Sequence, residues 1–134
     1  MPDAIMLAVC LHVLAGVFWA GSTMGLAAAH TVSKGRLFFS QMAAALIAIF
    51  AGAYLWHTLH EGVFETAERY LALGAICAIL ALVFQVILAG PAVLKLQSGI
   101  GSADRLHTRS LIAHRVAAAL LAITAICMAA SRYA

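Results

Sequence analysis

The polar residues of this chain are confined to a few short stretches, and four long apolar segments run between them. The segments cover about residues 4–30, 37–60, 70–96 and 103–131, each close to or above the ~20 residues with which a helix spans a bilayer. The first break, Thr31-Val32-Ser33-Lys34-Gly35-Arg36, is polar and turn-forming. The second, residues 61–69, is short and acidic, with Glu61, Glu65 and Glu68. The third, residues 97–103, carries Ser98, Gly99, Gly101 and Ser102. Ser102 or Asp104 can cap the fourth helix, which begins as an exposed basic turn and enters lipid near Ser110. Gly90-Pro91 predicts a kink late in the third segment. The expected fold is all-α: one integral membrane domain, a four-helix bundle of up-down-up-down antiparallel topology.

Composition strengthens this picture. Of the 134 residues 65% are hydrophobic and 10% charged, with a mean hydropathy of +1.03. A soluble domain is about a quarter charged, so this chain is expected to lie mostly in lipid. No basic region precedes the first apolar run, which is also too long for a signal-peptide core and is read as a retained helix. The net charge of +3 sits in the breaks and argues for topology, not for a nucleic-acid partner. Lys34, Arg36, Lys95, Arg105 and Arg109 gather on one side, with Arg115 just inside the fourth helix. The other side has Arg69 and Arg132 with Asp3, Glu61, Glu65 and Glu68. Because positive residues stay inside, both termini are expected outside, in the inner membrane of a bacterium. Tyr54, Trp56, Tyr70 and Tyr133 fall where interfacial aromatics belong.

The chemistry lies in what interrupts the apolar runs. Six histidines are many for such a chain, and an ionisable group inside a membrane segment suggests a site. In the first segment His12, Trp19, Thr23 and His30 fall within roughly 20° of one line on a helix. The opposite face carries Gly21 and Gly25, a pair that lets another helix, subunit or second copy approach closely. Counting ~1.5 Å per residue sorts the histidines by depth. His12, His57 and His60 form an outer group; His114, His30 and His107 form an inner one. His12 and His57, on neighbouring helices at similar expected depths, suit a group gripped between them.

Neutral imidazole is a good ligand for haem iron, and histidines of facing helices can hold a haem in a bundle. Small residues flank the candidates: Gly16 beside His12, Ala53 beside His57, Ala118 and Ala125 along the face of His114. Trp19 and Phe50 can flank a porphyrin or simply pack in the core. His60 competes with His57 as the outer ligand, and Met24 or Met42 can pair with His114, since Met/His ligation of haem is known. Gln85 is a further buried polar group, able to bond a histidine, a propionate or a neighbouring backbone. A second reading is copper handling, because Cys10, Cys77 and Cys127 lie in the outer halves of their helices with Met6 and Met128 nearby, and soft sulfur suits Cu(I). A third is an accessory transmembrane subunit of a respiratory or photosynthetic complex, docked through the Gly21/Gly25 face.

The stretch Leu11-His12-Val13-Leu14-Ala15-Gly16-Val17-Phe18-Trp19-Ala20-Gly21 resembles the first helix of the copper-resistance protein D-like membrane family, where Leu-His is followed seven residues later by Trp-x-Gly. It is also similar to the first helix of the HemJ-type membrane protoporphyrinogen oxidases, which are small four-helix haem b proteins. Residues 71–94 are apolar here, where HemJ-type proteins carry a lysine, and Lys95 follows at the inner end. The whole layout resembles the small four-helix cytochromes b that exchange electrons with quinones. The resemblance implies that His12 is a haem or metal ligand. It implies a membrane b-type haem protein, an electron carrier or quinone-linked oxidoreductase with one or two haems, moving electrons between a quinol and another redox partner.

Overall fold

The structure, a computed structural model, describes residues 2–29, 35–60, 62 and 64–134, with the backbone alone for Pro2. His30 and Lys34 lie outside the described residues. The elements are α1 (Pro2–Ala28), α2 (Arg36–Leu59), α3 (Thr66–Phe84), a π-helical turn (Gln85–Ala89), α4 (Gly90–Gln97) and α5 (Ala103–Ala130). The described residues include no strand. α3, the π turn and α4 run on as one span, so four helices are long and apolar enough to cross a membrane: Asp3–Ala28, Arg36–Leu59, Thr66–Gln97 and Ala103–Ala130.

The helix ends follow local chemistry. α3 starts at Thr66, four residues before the expected start near residue 70. Glu65 and Glu68 cap reciprocally: Glu68 Oε2 accepts the Glu65 N–H at 3.0 Å, and the Glu65 side chain accepts the N–H of Glu68. The acidic stretch that reads as a loop is thus partly a helix cap, with carboxylates at the positive end of the helix dipole. Ser102 takes the N-cap position of α5 with extended backbone, but its hydroxyl makes no capping bond. The turn before it uses Gly99 and Gly101 at φ 67° and 95°, a region that favours glycine.

The surface differs from that of a soluble protein. It carries Leu7, Leu14, Val17, Phe50, Ile87 and Ile126, all exposed, whereas Thr23, Gln41, Gln85, Ser110 and His114 are buried among apolar residues. An apolar surface, with its few polar groups turned inward, is what hydrocarbon solvent selects. The core is built from small side chains: Ala44, Ala45 and Ala48 of α2, Ala81 of α3 and Ala117 of α5 close around Trp19 and Leu121. Lipid gives helices little hydrophobic reason to associate, so close backbone approach and interhelical hydrogen bonds do the holding. A second cluster joins Phe38, Ala89, Val93 and Ala113. Gly21 and Gly25 point outward, and a Cβ at either would meet no described atom within 4 Å.

The expected kink at Gly90-Pro91 takes the form of the π turn just before it. Pro91 has no N–H to give, and its ring crowds the carbonyl four residues back, that of Ile87. The Gly90 N–H instead bonds the Gln85 carbonyl, five residues back. The widened turn sets Gln85 and Ala89, both fully buried, against the core.

Candidate functional site

A polar layer crosses the bundle at the π turn. The Trp19 indole Nε1–H donates to Gln85 Oε1 at 2.7 Å, and Gln85 Nε2 donates to Thr23 Oγ1 at 3.0 Å. Gln41 Nε2 reaches the same Thr23 oxygen at 3.4 Å and Ser22 Oγ at 3.1 Å. The Ser22 hydroxyl is spent on the Phe18 carbonyl at 2.6 Å, so its oxygen is an acceptor for Gln41. Thr23, Gln41 and Gln85 are each 0% exposed. Sequence reasoning picked out Trp19, Thr23 and Gln85 but not Gln41; the signal was there, an amide alone in the apolar run of residues 37–60. Trp19 is spoken for: at 2% exposure it is a core side chain whose one polar atom is bonded to Gln85.

His114 belongs to the same layer. One turn along α5, Ala117 packs beside Trp19, Ala44 and Ala45, and Arg115 Nε reaches the Ala27 carbonyl at 3.4 Å. On the other side of His114, Ala113 packs with Phe38 and Ala89, so His114 is bracketed between the levels of Phe38 and Ala44, which is that of Gln41. The His114 Nδ1 bonds the Ser110 carbonyl at 2.7 Å. A carbonyl can only accept, so Nδ1 carries the proton and Nε2 offers a lone pair. That Nε2 is buried and has no hydrogen-bond partner among the described residues; Gln41 Oε1 is in the same state. Each such atom costs about 1–3 kcal/mol if nothing meets it.

His12 shows the same arrangement in another setting. Its Nδ1 donates to the Ala48 carbonyl at 2.8 Å, which again leaves Nε2 as the lone-pair nitrogen. The ring lies against Gly52, where a Cβ would stand 2.9 Å from Cε1 and 3.1 Å from Nδ1. Gly52→Ala is therefore expected to push the ring off the Ala48 carbonyl and to cost about 1–2 kcal/mol, read as a lowered midpoint of unfolding in mixed micelles. Eleven residues of α1 separate His12 from Thr23, about 16 Å at the helical rise. The two imidazoles are separate sites, with Trp19 between their levels.

A ring nitrogen tied to a backbone carbonyl, with the other left free, is how proteins orient a metal-bound histidine. Small residues stand beside both rings: Gly52 against His12, and Ala113 and Ala117 next to His114 on α5.

The other candidates are not gathered at these two rings. His57 is exposed in the last turn of α2, five residues beyond Gly52, about 7.5 Å further along the helix than the part that meets His12. His60 caps α2: its ring stacks on Trp56 at 4.8 Å between centroids, and its Nε2 lies 3.8 Å from Glu68 Oε1. Met24 is exposed on α1, whereas Met42 packs against the cluster that holds Ala113, the neighbour of His114. Cys10 is exposed and Cys77 and Cys127 are buried, all as free thiols. Among the described residues no three of His, Cys, Asp and Glu come together as a metal-binding group. Comparison with protein-family models, curated proteins and solved structures gives no match to this chain.

Proposed function

We propose that this chain is a membrane b-type haem protein that carries electrons through the bilayer. His12 and His114 would each hold one haem through Nε2, the nitrogen not bonded to a backbone carbonyl. The observation that carries the reading is the state these two histidines share. Each spends Nδ1–H on a backbone carbonyl and keeps Nε2 unspent among the described residues, and at His114 that atom is also buried. Haem would supply a one-electron couple. The chain's own part is to aim the imidazoles and to keep water away with an alanine-rich interior.

The bundle runs up-down-up-down in the inner membrane of a bacterium, with both termini and the acidic connection near Glu65 and Glu68 outside. Support comes from Arg36, Lys95, Arg105 and Arg109 collecting at the opposite end. In that orientation His12 lies toward the outer face and His114 toward the inner one, so electrons from a quinol would cross by way of two levels. His12→Ala tests the outer site. It is expected to lower the haem content of the purified, folded protein by one per chain. Unchanged pigment in that variant would overturn the assignment.

A further inference from the structure

Arg105 and Arg109 stand one turn apart on α5, so their guanidinium groups share a face. Arg109 Nη2 donates to the Ile87 carbonyl at 3.3 Å. That carbonyl is available because Pro91, four residues on, has no N–H to offer it. The bond pins one guanidinium at the mouth of a groove of about 550 Å³, lined by Leu88, Asp104, Arg105, Thr108, Arg109 and Ile112. The polar rim is two guanidiniums, one hydroxyl and one carboxylate, leaving a single positive charge. The floor is Leu88 and Ile112, continuous with the exposed apolar surface of Val86 and Ile87.

We propose that this groove binds the headgroup of an anionic phospholipid, its phosphodiester on Arg105 and Arg109 and an acyl chain along Leu88 and Ile112. The planar guanidinium fork matches two phosphate oxygens, and the Thr108 hydroxyl is placed to donate to a third. One net positive charge on the rim complements one phosphodiester. A free phosphate ion would use the rim and leave the apolar floor bare, whereas a lipid uses both. A zwitterionic lipid brings a cation that faces the two arginines. Basic pockets beside transmembrane helices are a known form of lipid recognition. The site is independent of the haem reading, since neither His12 nor His114 lines it.

The test is titration of the delipidated protein with phosphatidylglycerol or phosphatidylcholine in mixed micelles, and with inorganic phosphate. Phosphatidylglycerol is expected to bind more tightly than phosphatidylcholine, and inorganic phosphate at equal concentration not to compete. An arginine near the membrane surface is worth about fivefold in affinity, so R105Q/R109Q should weaken phosphatidylglycerol binding roughly thirtyfold and erase the preference. Asp104→Asn should act in the opposite direction, tightening it about fivefold, which keeps the test decisive if the double variant folds poorly. Equal affinity for the two lipids overturns the proposal. So does competition by phosphate, or an unchanged phosphatidylglycerol affinity in Asp104→Asn or in a folded double variant.

Discussion

His114→Ala is expected to remove one haem per chain and to leave a folded bundle. The change deletes a Nδ1–H bond to the Ser110 carbonyl, worth about 1 kcal/mol net, and also deletes a buried nitrogen that has no partner within the described chain. The two effects oppose each other, so the apoprotein's stability should change by about 1 kcal/mol or less. Pigment loss can then be read as loss of a ligand rather than of the fold. His107, one of the inner-side histidines, supplies the control: it sits half-buried two turns closer to the start of α5, and His107→Ala should keep full pigment. The measurement is haem per chain by pyridine haemochrome, with unfolding midpoints alongside. Full pigment in a folded His114→Ala protein would remove the inner site from the account.

Gln85→Leu is expected to be the most destabilising single change in the polar layer. It orphans the Trp19 indole N–H, 2% exposed, and removes the amide that donates to Thr23. A buried orphaned donor costs about 1–3 kcal/mol, whereas interhelical hydrogen bonds measured in membranes average about 0.6 and reach about 1.7 kcal/mol. A loss of about 2–3 kcal/mol is expected, because two partners are affected at once and Leu brings a branched side chain into a fully packed position. Adding Trp19→Phe should recover part of that loss, since the orphaned donor goes with it. Unfolding midpoints of the two single variants and the double variant close the cycle. Additive losses would mean that the Trp19–Gln85 bond contributes nothing to stability.

The fold was legible because hydrophobic segments of bilayer length are a strong signal, and the four spans fall where the apolar runs lie. Two boundaries were not. The acidic stretch before residue 70 reads as polar loop, yet Glu65 and Glu68 turn it into a helix start by capping each other. Gly90-Pro91 marks a disturbance, but periodicity does not say that the chain answers it with a π turn whose first and last residues are buried. That turn rotates everything after it, so that Ala89 faces the core as Gln85 does. Depth counting placed His12 and His57 together, although depth along a helix leaves the facing direction open. In the structure His12 turns to Ala48 and Gly52, while His57 stays on the exposed surface. Gln41 was missed for a related reason. The lone amide stands out in its apolar run, but its importance comes from donating to the Thr23 oxygen that also accepts from Gln85, a partnership across helices that the run itself does not record.

The proposed electron carrier turns on whether iron sits at the Nε2 atoms of His12 and His114. A reduced-minus-oxidised absorption spectrum of the protein purified from its membrane, with haem per chain by pyridine haemochrome, answers that in one preparation. The expected result is b-type bands with up to two haems per chain. A folded, monodisperse protein purified from haem-replete cells with no b-type bands would contradict it.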